Sequence, residues 1–238
     1  MSITAETELR RIAAEGAAAF DGRDEADDAV VTAAIDWAAQ TFGDRLAVAS
    51  NMQDAVLVDL AAKSRPGVDV LFLDTGYHFV ETIGTRNAVD TFYDVNLVDV
   101  HPEQSVAEQD AAEGKDLFAR DPARCCALRK VAPLSRALAG YDAWITGIRR
   151  VEAPTRAAAP LISFDETFGL VKINPIVAWS DDRLAQYIDD HAVPTNPLIA
   201  QGYPSIGCAP CTAKPLPGSD PRSGRWAGSS KTECGLHS

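Results

Sequence analysis

Apolar residues recur at helical spacing through TAETELRRIAAEGAAAF (residues 4–20) and DDAVVTAAIDWAAQTF (27–42), each opened by an acidic residue or a hydroxyl. A stripe of that period behind a capping residue predicts an amphipathic helix. The period then changes. LAVAS (46–50) is a short unbroken apolar run of strand length, followed by the turn-like NMQD and a helical DAVLVDLAAK (54–63). The same alternation repeats as a strand VDVLFLD (68–74), a turn TGYH, a helix over 79–93, a strand VNLVDVH (95–101), helical stretches over 105–118 and 123–139, and a strand DAWITGIR (142–149). Strands alternating with helices predict an α/β fold, a parallel sheet with helices on both faces. Such sheets bind ligands beyond the carboxyl ends of their strands, so the loops after residues 50, 74, 101 and 149 are where chemistry is expected.

Beyond residue 150 the pattern loosens. LISFDETFGLVKINPI (161–176) reads as a hairpin and SDDRLAQYIDDH (180–191) as a capped helix. From residue 193 Pro, Gly and Ser dominate, a composition that predicts loop and then a flexible tail. The expected organisation is one α/β domain over 1–213, which includes the N-terminal helices, and a mobile tail over 214–238.

Composition narrows the class. The chain has 238 residues, 46% hydrophobic and 24% charged, the values of a soluble globular protein. No apolar run reaches transmembrane length, and MSITAETELRR lacks the basic and apolar regions of a signal peptide. A cytoplasmic protein is therefore expected, with no membrane partner and its cysteines as thiols or metal ligands. The net charge of −12 argues against nucleic acid as a partner. The charge is unevenly spread: residues 1–110 hold 21 acidic and 7 basic side chains, residues 111–238 hold 13 and 15. The second half can thus supply cations to an anionic ligand.

Five cysteines fall into three groups: the vicinal Cys125 and Cys126, the C-x-x-C pair Cys208 and Cys211, and an isolated Cys234. Four plus one is the arithmetic of a tetrathiolate site and a free thiol. A structural zinc normally takes two C-x₂₋₄-C knuckles, and adjacent cysteines make a poor knuckle, but zinc stays open. A 4Fe-4S cluster also fits, since adjacent cysteines can each bind a different iron. Arg124, Arg129 and Lys130 flank the vicinal pair and offset thiolate charge. Cys126 and Lys130 share a helix face at spacing four.

The combination of CCALRKVAPL, GCAPC and a terminal KTECGLH, with ASNMQDAVLVDLA (49–61), LFLDTGYHFVET (71–82) and WITGIRR (144–150), resembles the assimilatory adenylyl-sulfate (APS) reductases, the thioredoxin-dependent iron–sulfur branch of the sulfonucleotide reductases. The resemblance covers most of residues 46–238. It implies an adenine nucleotide α-hydrolase-like fold related to the PP-loop pyrophosphatases, a 4Fe-4S cluster on Cys125, Cys126, Cys208 and Cys211, and a nucleophile at Cys234. It further implies APS as substrate and thioredoxin as electron donor, while a homo-oligomer is neither required nor excluded.

One departure stands out. Where PP-loop pyrophosphatases carry a glycine-rich S-G-G-x-D-S loop, this chain has Ser50-Asn51-Met52-Gln53-Asp54. A backbone cradle for pyrophosphate needs the close approach glycine permits, so ATP pyrophosphatase chemistry is not expected. Around Cys234, Lys231 and His237 lie three residues to either side and favour its thiolate, whereas Glu233 opposes it. The expected catalytic set is Cys234, Lys130 and His237. Arg149, Arg156, Arg222 and Arg225 are expected on the phosphosulfate, and Ser50, Asp74, Thr75 and Gly76 along the nucleotide. Arg222 and Arg225 lie in SDPRSGRW, on the tail itself, so substrate and tail are expected to close together. Asp74 has an alternative role as a helix cap.

Overall fold

The computed structural model describes residues 3–227, 231 and 233–236. Two helices come first, α1 (Ile3–Phe20) and α2 (Asp28–Phe42), the second capped by the Asp27 carboxylate, which accepts the Ala29 N–H at 2.8 Å. The alternation then unfolds as read: β1 (Leu46–Ala49), α3 (Val56–Ser64), β2 (Val68–Leu73), α4 (Val80–Phe92) and β3 (Val95–Val100). There follow α5 (Val106–Glu113), α6 (Leu117–Arg120), α7 (Pro122–Cys126), α8 (Ala132–Leu138), β4 (Ala143–Thr146), the hairpin β5 (Ile162–Asp165) and β6 (Leu170–Ile173), and α9 (Asp181–His191).

The six strands order as β3-β2-β1-β4-β6-β5, parallel throughout except for β5 against β6. Strand residues alternate between two cores. Leu46, Val48, Ala143 and Ile145 face the larger one, shared with α1, α2 and α3, whereas Ala47 and Trp144 face a smaller one built on Leu134 and Leu138 of α8. That alternation is what helices on both faces demand. α1 covers the hairpin at the sheet edge, where Arg10 pairs with Glu166 at 2.6 Å and stacks on the Phe164 ring. No helix among the described residues is long and apolar enough to cross a membrane.

The helix expected over 123–139 is present with a wide turn in it. Between α7 and α8, residues Ala127–Val131 form a π turn, in which the Ala132 N–H donates to the Ala127 carbonyl. Pro133 explains it. A proline inside a helix lacks the donor and crowds the carbonyl four residues back, and widening the preceding turn relieves both. Such turns collect at functional sites. This one carries Arg129 and Lys130 directly after the vicinal cysteines.

Candidate active site

The chain leaves β1 in one direction to build β2 and β3, and returns to its other side with β4. That reversal opens a crevice at the carboxyl ends of β1, β2 and β4. A cavity of about 620 Å³ fills it, walled by Ser50 after β1, Leu73 at the end of β2 and Thr75 after it, and Gly147 to Arg149 after β4. A nucleotide is of that size class.

The loop after β1 achieves its turn without glycine. Met52 itself takes the left-handed conformation (φ 58°) and is fully buried, with its N–H donating to Ser50 Oγ at 3.3 Å. The buried Asn196 amide donates to the Met52 carbonyl at 3.3 Å, and the Gln53 side chain accepts the Ile206 N–H at 2.9 Å. Segment 194–206 thus fastens the loop from outside. Gln53 and Asn196 carried no sequence signal, because their partners lie far off in the chain.

After β2, Thr75 lines the cavity, and its hydroxyl lies 3.3 Å from Cys208 Sγ. Asp74 and Gly76, expected along the nucleotide, do not line it. Asp74 Oδ1 accepts the Gly76 N–H at 3.0 Å and its other oxygen faces His101 at 3.7 Å, so this pair shapes the turn. The buried Arg129 holds the same turn through the Thr75 carbonyl and braces it against Gln109 at 3.1 Å. His78 also lines the cavity, its Nε2 2.8 Å from the Leu73 carbonyl oxygen, and burial keeps the ring below its ordinary pKa. No sequence pattern marks His78 as a site residue, although it stands in the TGYH turn.

Four of the cysteines meet. Cys125 and Cys126 from α7, and Cys208 and Cys211 from the loop after α9, line one small cavity with Tyr77, Phe118, Arg129, Lys130 and Trp226. Burial and mutual repulsion with the other three push the Cys125 thiol up to about 12, against Arg129, and Cys211 reaches about 11 for the same reasons. Thiols this costly to ionise together need a positive group among them. Among the described residues no three His, Cys, Asp or Glu side chains are grouped as for a single metal ion. Four sulfurs nonetheless line one cavity, the tetrathiolate donor set that the cysteine spacing offers.

The C-terminal tail folds over the larger cavity. The Trp226 N–H donates to the Cys211 carbonyl at 3.0 Å and the Ala213 N–H to the Gly224 carbonyl at 2.8 Å, so residues 224–226 dock on the C-x-x-C loop. Glycine is needed at that contact: a Cβ at Gly224 would stand 1.9 Å from the Ala213 carbonyl oxygen. At Gly207 a Cβ would stand 2.1 Å from an Arg225 nitrogen, so there glycine makes room for the end of a side chain. Further on, Leu236 packs on the smaller core, and Cys234 lines the cavity together with Lys130, Arg222 and Arg225. Lys231 lies over the Trp226 ring at 5.6 Å. His237 lies outside the described residues.

The cations differ in what surrounds them. Arg149 pairs with Asp181 at 2.8 Å and with Glu152 at 3.6 Å. Arg156 pairs with Glu152 and, at 3.0 Å, with Glu233, which also holds Arg222 at 3.2 Å. Lys130 and Arg225 have no carboxylate partner among the described residues. The Arg225 Nε is buried without a hydrogen-bond partner among them, and burial and Arg222 lower its pKa. For Lys130 burial acts downward too, but the thiols of Cys208, Cys234 and Cys126 carry its pKa above the ordinary value. Two such cations beside a thiol, on a nucleotide-sized cavity, form a site for an anion.

The phosphoadenosine phosphosulfate reductase domain family matches residues 45–214, from the start of β1 through the C-x-x-C loop. The chain belongs to this family. Among relatives, an adenosine 5'-phosphosulfate reductase of Rhodococcus opacus is 64% identical, covering 100% of this chain and 98% of that protein. Enzymes of the same name from Mycolicibacterium smegmatis (65% identical; 100% and 98% covered) and Mycobacterium tuberculosis (60%; 98% and 96%) are similar over their whole lengths. Among solved structures, a phosphoadenylyl-sulfate reductase from Candida auris aligns with a TM-score of 0.67 and 27% identity, over 90% of this chain and 98% of that one. An FMN adenylyltransferase from Candida glabrata shares the fold alone (TM-score 0.58, 12% identity, 89% and 72% covered). The likeness to both confirms the nucleotide-binding, PP-loop-related architecture expected of the sequence.

Proposed function

We propose that this protein reduces adenosine 5'-phosphosulfate to sulfite and AMP, with thioredoxin as electron donor, in cytoplasmic sulfate assimilation towards cysteine. One observation carries the reading: the Cys234 thiol and two cations without carboxylate partners among the described residues, Lys130 and Arg225, share a nucleotide-sized cavity beside a four-cysteine site. The identity of 60–65% to enzymes named for this substrate supports APS as the nucleotide.

The chemistry follows from the groups present. The adenosine lies in the crevice along Ser50, Thr75 and the β4 end with Arg149, and the phosphosulfate meets Lys130 and Arg225. The Cys234 thiolate attacks the sulfur of the phosphosulfate; the S–O bond to phosphate breaks and AMP departs with that electron pair. Cys234 is left as S-sulfocysteine. A thioredoxin thiolate then attacks the Cys234 sulfur, the S–S bond breaks, and sulfite leaves with its pair. The second thioredoxin thiol closes the disulfide and returns the Cys234 thiolate. Cations aimed at the departing phosphate and sulfite oxygens stabilise charge as it develops.

Cys125, Cys126, Cys208 and Cys211 would hold a 4Fe-4S cluster, a donor set that fits it by number, chemistry and shared cavity. When bound, the cluster supplies a fixed charge distribution that orients Lys130 beside the sulfate, and both electrons come from thioredoxin thiols.

The test is sulfite production from APS with thioredoxin and its reductase. Wild type is expected to turn over, Cys234→Ser to make no sulfite, and omission of thioredoxin to stop the reaction after one AMP per chain. Sulfite from Cys234→Ser at the wild-type rate would exclude this mechanism.

A further inference from the structure

Glu233 immediately precedes the proposed nucleophile, and both of its carboxylate oxygens are held. Its Oε1 accepts from Thr155 Oγ1 at 3.1 Å and from Arg156 Nε at 3.0 Å. Its Oε2 accepts from Arg156 at 3.0 Å and from Arg222 at 3.2 Å. The Arg156 contact is the two-pronged guanidinium–carboxylate geometry, the strongest available between such groups. The Glu233 side chain is 14% exposed and the Arg156 side chain 10%, so solvent screens the pair little.

Arg156 is in turn fixed by Glu152, which reaches back to the Arg149 N–H at 3.2 Å. Glu152, Arg156, Glu233 and Arg222 form a chain of alternating charge that balances without a ligand. Arg156 and Arg222 are occupied by the tail, whereas Lys130 and Arg225 lack carboxylate partners among the described residues. The division assigns two cations to the tail and two to an incoming anion.

We infer that Glu233 is a positioning residue: its carboxylate latches the C-terminal tail to Arg156, Arg222 and Thr155, and so holds the Cys234 thiol over the cavity. The inference rests on the reading of Cys234 as nucleophile for its purpose, and on the ion-pair geometry for its existence. Arg156 and Arg222 then act on the substrate through the tail. Release of the sulfo-adduct to thioredoxin requires this latch to open.

The experiment follows the alkylation of Cys234 by iodoacetamide, a neutral reagent, on the full-length protein. Cleavage after Lys231 isolates residues 232–238, which contain Cys234 as their one cysteine. The rate is taken across pH to the plateau where the thiol is fully ionised. Glu233→Gln is expected to raise that plateau about tenfold, the effect of losing a charge-assisted hydrogen bond. Removal of a neighbouring negative charge without tail release would instead move the midpoint and leave the plateau. Glu233→Asp should recover part of the protection, which a misfolded variant would not, and Thr155→Val, which removes a neutral contact to Oε1, should raise the plateau by less than Glu233→Gln. A plateau unchanged in Glu233→Gln overturns the latch. Should Cys234→Ser still make sulfite, the nucleophile assignment fails while the alkylation result stands independently.

Discussion

The chemistry of this site turns on a few side chains whose surroundings are unequal. Lys130 and Arg225 bring positive charge to a cavity edge with no carboxylate to meet it among the described residues, and the cost of that arrangement is recovered when an anion binds. Replacing either by alanine should lower kcat/KM for APS on the order of 100-fold, the scale of losing one group aimed at developing charge. Steady-state kinetics with a folding check by circular dichroism measures it. Glu233 is the counterpart. Burial raises its carboxyl pKa, but Arg156, helped by Arg222, more than reverses that and holds it below its ordinary 4.5. A depressed carboxylate stabilises the folded form above its ordinary pKa and loses that contribution as pH falls through the depressed one. Tail closure should therefore be constant from pH 8 to 5 and weaken below about 4.5, visible as a change in Trp226 fluorescence against a Trp226→Phe blank. Of these residues Lys130 and Arg225 were legible from the basic character of the second half and from their motifs. Glu233 was legible only as a charge opposing the thiolate, because its partners Thr155 and Arg156 lie 78 and 77 residues away.

At the scale of elements, the site is made by loops and turns that rigid strands present. The π turn at Ala127–Val131 follows from Pro133, and that proline was visible within the expected helix. The docking of residues 224–226 on the C-x-x-C loop was not visible. Pro, Gly and Ser there suggest a flexible tail, whereas Gly207 and Gly224 serve close contacts rather than looseness. Gly207→Ala makes a specific case. The added methyl meets the end of the Arg225 side chain, which can swing away, so the fold should survive while Arg225 leaves the cavity. Its unfolding midpoint should stay within a few degrees of wild type, with kcat/KM falling towards that of Arg225→Ala. Gly224→Ala meets backbone instead and should destabilise the tail contact itself, read as faster proteolysis after residue 213.

For the whole molecule, hydrophobic period carried the architecture, since β1 and β4 are short apolar runs, β2 and β3 are strand-length segments rich in Val and Leu, and helical stripes lie between them. What the period cannot carry is strand order and the closure of chain ends over the crevice, which depend on contacts between distant segments. The four-cysteine cavity was legible from counting and resemblance together, the latch from neither. Deleting residues 231–238 should abolish sulfite release and leave the α/β domain folded, because the large core is complete without them. The central claim is that Cys234 takes the sulfo group. Anaerobic incubation of the cluster-loaded protein with APS, without thioredoxin, followed by intact-mass and peptide analysis, tests it most directly. One SO₃ is expected per chain, on the peptide holding Cys234, and lost as sulfite when reduced thioredoxin is supplied. An active, cluster-loaded protein that shows no adduct, or carries it on another residue, would rule out Cys234 as the nucleophile.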